Sequence, residues 1–203
     1  MRTLIIDTAT AACSVALVAG GRVLDARHAV VGRGHAERLV PMIAELDGGG
    51  RAGRILVDVG PGSFTGIRVG IAAARGLALG WEAEIAGFSA TALIAAAAIA
   101  DGIRAPLAVV IEGGHGEVFM QGYDDTSAPV DPLVSLLPAA ALAVLGDRPA
   151  VGNGVARLTA IDPAIAAHAA LPDAARAILL PPALATLPPR PLYGRAPDAK
   201  LPS

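Results

Sequence analysis

A glycine-rich run, Gly60-Pro61-Gly62-Ser63-Phe64-Thr65-Gly66, lies where an apolar segment gives way to helical periodicity. At such a junction backbone N–H groups converge and the helix dipole favours negative charge, so phosphate binding is one reading. A tight turn that brings strand and helix into close contact is the other. The run has no lysine closing it in P-loop fashion and lacks the glycine offsets of a dinucleotide fingerprint, which favours the turn. Two acids at strand ends, Asp7 and Glu112, extend the phosphate reading. With Thr8 and Thr10 beside them, and facing each other across a cleft, they would hold a metal-nucleotide or activate water. Solvated strand ends explain the same acids equally well.

The remaining reactive side chains form no familiar constellation. His35 and His115 begin no metal-ligand spacing, and Ser63 does not sit in a nucleophile-elbow pattern. Cys13 is the one cysteine, which excludes an intrachain disulfide and is read as a small buried residue. Arg68 and Arg75 share one face of a helix; a solvated face is the default, an acidic partner or RNA phosphate the sharper alternative.

The elements that must position these residues follow from periodicity. Residues 2–7, 14–19 and 22–30 read as a three-stranded meander, turned at Gly20-Gly21. From His35 the period changes: Leu39, Met42, Ile43 and Leu46 mark one helical face, with Pro41 predicting a kink or a start just before it. A short strand over 54–59, a helix over 67–79 with Thr65 as N-cap, a strand over 84–88 and a helix over 89–100 complete the first half. On the second helix Gly66, Gly70 and Ala74 recur at every fourth position, a small-residue face suited either to packing inside the subunit or to a helix of another subunit.

The chain then starts over. Residues 107–112 form another apolar strand ending in an acid, followed by Gly113-Gly114-His115-Gly116 and a strand over 117–124. This predicts two related α/β halves of about 100 residues each, the first an antiparallel meander leading into parallel crossovers. The division is placed at 103/104, giving an N-terminal unit of residues 1–103 and a reduced C-terminal unit of 104–203. The second half is less legible: helices near 138–145 and 154–161, a weak turn at Gly152-Asn153-Gly154, and an extended surface-bound segment over 187–203.

Composition excludes several classes. Apolar residues make up 54% and charged residues 17% of the 203, so disorder is ruled out. A net charge of -2 leaves no electrostatic footprint for independent RNA binding. Asp7 interrupts the apolar start that would mimic a secretion signal, and residues 85–100 are too short and too rich in small residues for a membrane span. A cytoplasmic protein without membrane contact is expected.

Taken together, Met1 to Thr10, Cys13-Ser14-Val15-Ala16-Leu17, and the glycine-rich run continued by Ile67-Arg68-Val69-Gly70 resemble the TsaB (YeaZ) family. His35-Ala36-Glu37-Arg38-Leu39-Val40-Pro41-Met42-Ile43 and Gly116-Glu117-Val118-Phe119 support the likeness, and residues 1 to about 95 carry most of it. The resemblance implies an actin-like, sugar-kinase-like fold (ASKHA, RNase H-like) with two duplicated subdomains. It implies a non-catalytic subunit that pairs with a TsaD-like catalytic chain and a TsaE-like ATPase, meets tRNA only through the complex, and homodimerises through the same face when alone. That face falls on His35, Arg38, Leu39, Met42, Ile43, Gly66, Ile67, Gly70, Ile71 and Ala74. Asp7, Thr8, Thr10 and Glu112 become a vestigial phosphate site, with no cofactor and no metal. The two metal-binding histidines of TsaD-like chains correspond to Ala90 and Ile94, neither of which can ligate. An independent ATP-binding enzyme of the same fold is the alternative.

Overall fold

The computed structural model describes residues 1–194, so the last part of the expected extended segment lies outside the described residues. Strands β1 (Arg2–Asp7), β2 (Ala12–Ala19) and β3 (Arg22–Val30) form the meander, with Gly20 and Gly21 at positive φ making the β2–β3 turn. Helix α1 (His35–Ala44) then crosses to β4 (Arg54–Asp58), which lies parallel on the other side of β1. Helix α2 (Phe64–Trp81) leads to β5 (Glu84–Phe88), parallel to β4, and α3 (Ala90–Ala100) closes the half. The sheet order is β3-β2-β1-β4-β5.

The second sheet repeats this plan. β6 (Leu107–Glu112) pairs antiparallel with β7 (Val118–Tyr123), which pairs antiparallel with β8 (Val134–Leu136). Helix α4 (Pro138–Leu145) leads to β9 (Ala150–Val151), parallel to β6, and α5 (Val155–Thr159) leads to β10 (Ala167–His168), parallel to β9. The order β8-β7-β6-β9-β10 matches the first sheet strand for strand. Its elements are shorter: α5 has 5 residues where α2 has 18. Two 3-10 helices, Ala174–Leu179 and Pro182–Leu184, bring the chain back onto the first sheet and α3.

Burial explains these elements. Leu4, Ile5 and Ile6 are at most 2% exposed, so β1 is covered on both faces, as its near-continuous apolar run requires. α1 and α2 pack together on β1, β2 and β4. α3 is apolar all round and buried along most of its length, in contact with β6, β7 and the 174–179 helix; a helix without a polar face belongs in an interior. Its core is continuous with Leu107, Val109, Ile111 and Phe119 of the second half.

Two local expectations change. Helix α1 begins at His35 and runs through Pro41; this residue is exposed, so the carbonyl it leaves unpaired faces a wet side. Ser63, not Thr65, caps α2, its hydroxyl accepting from the Gly66 N–H at 3.2 Å. Among the described residues no helix is long and apolar enough to cross a membrane.

Candidate functional site: a self-filled glycine-rich turn and the cleft beside it

The turn after β4 is occupied by the chain itself. Ser63 N–H donates to the Ala9 carbonyl at 2.6 Å, Gly60 N–H to Asp58 Oδ1 at 2.7 Å, and the Thr8 hydroxyl to the Gly66 carbonyl at 2.7 Å. These donors would have to turn away from the chain to hold an anion. The glycines serve close approach. A Cβ at Gly66 would stand 2.1 Å from the Thr8 carbonyl oxygen, and one at Gly70 2.5 Å from the Thr8 hydroxyl. The second half uses the same device: a Cβ at Gly152 would lie 2.2 Å from the Val110 carbonyl oxygen, which also accepts from Gly154 N–H at 3.0 Å. Gly152-Asn153-Gly154, weak as a sequence signal, is thus the counterpart of the glycine-rich turn.

The acids do not face one another across a cleft as expected. Asp7 is fully buried, accepting from Ala9 N–H at 3.0 Å and from the Ser14 hydroxyl at 3.3 Å. Its partner is Asp58 at the end of the neighbouring strand, a residue not singled out from the sequence because its register against Asp7 is invisible there. Burial pushes the Asp7 carboxyl up to about 6; burial and the Asp7 charge push Asp58 well above the ordinary carboxylate range. Asp58 Oδ2 is buried and accepts no hydrogen bond among the described residues, so a proton on Asp58 donated to Asp7 is the arrangement that satisfies both. Glu112 instead lies at the surface, bound to Arg157 at 2.5 Å, with its backbone N–H donating to Asn153 Oδ1 at 3.1 Å.

Thr10 and Glu112 do line a common space, an open cleft of about 950 Å³ between the two halves, with Ser63, His115 and Tyr193 also on its walls. Asp7 and Thr8 are not among its lining residues. At its mouth the Arg68 guanidinium lies 3.2 Å from the Phe64 ring centroid and donates to the Tyr193 hydroxyl at 2.5 Å. Arg75 donates to the Pro189 carbonyl at 2.8 Å. Both arginines therefore bond to the chain's own C-terminal segment at the surface, Arg68 half-buried and Arg75 exposed.

Of the residues assigned to a partner face, Leu39, Met42, Ile43, Gly66, Ile67, Gly70, Ile71 and Ala74 are buried against this chain's own sheet and helices. His35 is buried too, its Nε2 3.1 Å from the Ala12 carbonyl oxygen; Arg38 alone is exposed. The helical stripe read from the sequence marks the inner side, because a mid-sheet helix buries its most apolar and smallest residues. The outer sides carry Val40, Leu79, Gly76 and Gly80. Ala90 and Ile94 are 0% and 2% exposed and fill core space. No group of three or more metal-ligating side chains occurs among the described residues. Cys13 is buried, and burial raises its thiol to about 11.

Two sheets of identical strand order, each with the glycine turn packed on the end of its first strand, define a duplicated actin-like α/β protein. A family profile described as TsaD: tRNA N6-adenosine threonylcarbamoyltransferase matches residues 29–136. The chain is 39% identical over 130 residues to the tRNA threonylcarbamoyladenosine biosynthesis protein TsaB of Escherichia coli, covering 61% of this chain and 55% of that protein. An uncharacterized protein of Mycobacterium bovis is 33% identical over 97% of this chain and 93% of its own length. The solved structure of YeaZ from Pseudomonas aeruginosa superposes with a TM-score of 0.73 at 30% identity, covering 88% of this chain and 89% of that one. The chain belongs to the TsaB/YeaZ family. It spans about half the length of the curated TsaB relatives it matches, 55% for Escherichia coli and 42% for Haemophilus influenzae.

Proposed function

We propose that this chain is a non-catalytic scaffold subunit in the formation of threonylcarbamoyladenosine on tRNA. It binds a TsaD-like catalytic subunit, acts with a TsaE-like ATPase, and supports transfer of threonylcarbamoyl from threonylcarbamoyl-adenylate to N6 of the adenosine next to the anticodon. It meets tRNA through the complex, and pairs with a second copy through the same face when alone. Residues 1–103 carry this face; the companion unit placed at 104–203 contributes the second sheet, and from residue 174 its described chain packs back on the first half.

The observation that carries the reading is the outer side of α1 and α2. Leu79 is 85% exposed and Val40 57%, while Gly76 and Gly80 have nothing within 4 Å of where a Cβ would stand. A glycine inside an exposed helix costs about 1 kcal/mol relative to alanine. Nothing among the described residues uses the space these two leave, so a helix of another subunit approaching closely is the physical reason for them. Leu79, between them on α2, and Val40 on α1 are apolar side chains such a helix would cover.

The test is co-purification and reconstituted threonylcarbamoyl transfer with Leu79→Glu, Val40→Glu and Gly76→Arg, all at exposed sites that leave the fold intact. Leu79→Glu and Gly76→Arg are expected to weaken binding of the TsaD-like chain by about 30-fold or more. Wild-type binding in all three would refute the face, and full transfer activity without this chain would refute the role. The cleft favours a second reading, the ATP-binding enzyme. Saturable, magnesium-dependent ATP binding by the isolated chain would support it against the scaffold role.

A further inference from the structure

Residues 187–194 return from the second half and lie across the first. Leu187 exchanges both backbone hydrogen bonds with Gly87 on the edge of β5, at 2.6 and 2.9 Å, and Leu192 N–H donates to the Val59 carbonyl at 2.7 Å. Pro188, Pro189 and Pro191 stand between these two staples. Having no N–H, they offer no competing donors, and their fixed φ lowers the entropy lost when the segment docks. The end of the segment bridges the cleft. Tyr193 meets Phe64 and Arg68 of α2, the two rings 6.1 Å apart, while Gly194 fits against the Phe119 ring of β7, where a Cβ would come within 2.6 Å.

We propose that residues 187–194 form a latch that fastens the two halves over the cleft, with Phe64, Arg68 and Tyr193 as its catch. Every residue of the segment is half-buried or exposed, and Tyr193 keeps 51% of its surface in water. Such a segment sits at the low-stability end of the molecule, held by a few hydrogen bonds and one stacked arginine, so it opens without unfolding the core. Its staples end at Val59 and Leu192, beside Gly60, where a Cβ would lie 3.1 Å from the Leu192 carbonyl oxygen. The latch therefore bears directly on the turn that launches α2. Arg68 and Arg75, a shared face with no evident use in the sequence, are its two anchors on that helix.

The experiment uses the full chain with Arg68→Ala and Tyr193→Ala, both at the surface, and reads amide hydrogen exchange together with thiol labelling in a Ser135→Cys background. Ser135 lines the cleft, and the buried Cys13 leaves the introduced thiol as the reactive one. Each variant is expected to speed exchange at Leu187, Gly87 and Leu192 at least tenfold, leave exchange in β1 and β4 unchanged, and raise the labelling rate at position 135 at least threefold. Unchanged exchange along 187–194 would overturn the catch. Faster exchange with unchanged labelling would overturn the claim that the segment fastens the two halves over the cleft. Global loss of protection in both variants would show that the segment is core structure and not a latch.

Discussion

Gly66→Ala should lower the unfolding free energy by about 3 kcal/mol or more, and Gly76→Ala, further along the same helix, should raise it by up to about 1 kcal/mol. The two glycines do opposite work. At Gly66 a methyl group would sit 2.1 Å from the Thr8 carbonyl oxygen, a backbone atom pinned because Thr8 is fully buried and its hydroxyl is bound to the Gly66 carbonyl. The helix would have to lift off the end of β1, loosening Ile67 and Ile71 from the core with it. At Gly76 the methyl meets nothing within 4 Å, and only the gain in helix propensity remains. Urea denaturation of the isolated chain, kept dilute enough to be monomeric, measures both. A tolerated Gly66→Ala would mean that α2 does not approach β1 as described. A destabilising Gly76→Ala in the monomer would mean that the outer side of α2 already touches another part of the same chain.

That contrast also shows what the sequence alone conveys. Gly66, Gly70 and Ala74 announce a close helix contact, and the spacing is correct; which neighbour they approach is not written in the spacing. The answer depends on β1 lying directly beneath α2, a non-local fact set by the parallel pairing of β1 with β4. The succession of elements in the first half was legible from its periodicity, and the restart at residue 107 because β1 and β6 are both apolar runs ending in an acid. The small second-half strands were not, since two-residue strands such as Ala150–Val151 have no periodicity to detect. Asp58 escaped notice for a related reason. Seen alone it ends a strand like any acid, and only the register beside β1 makes it half of a buried pair. The roles of Arg68 and Arg75 were hidden because their partners, Tyr193 and Pro189, lie at the far end of the chain.

The buried pair gives the second large effect. Asp7 and Asp58 are both raised from 3.8, Asp7 to about 6, so the folded chain holds protons that the unfolded chain has released. The stability associated with Asp7 is therefore fully present below about pH 4 and lost as pH rises through about 6, a change of about 3 kcal/mol at 1.36 kcal/mol per unit. Asp7→Asn removes this loss. The difference in unfolding free energy between Asp7→Asn and wild type should thus move by about 3 kcal/mol in favour of the variant between pH 4 and pH 7, read by urea denaturation at several pH values. Comparing the two chains at each pH cancels the surface ion pairs, whose carboxylates titrate alike in both. Asp58 contributes to the same decline, which for a carboxyl raised by burial begins above about pH 4. Asp58→Asn, whose amide can still donate to Asp7 and whose oxygen can still accept from Gly60 N–H, should fold normally and lose the Asp58 share of that decline. Asp58→Val leaves Asp7 without its donor and Gly60 without its acceptor, and should cost about 3 kcal/mol or more at pH 7. Equal stability of the Asn and Val variants would show that no proton is shared between the two strands.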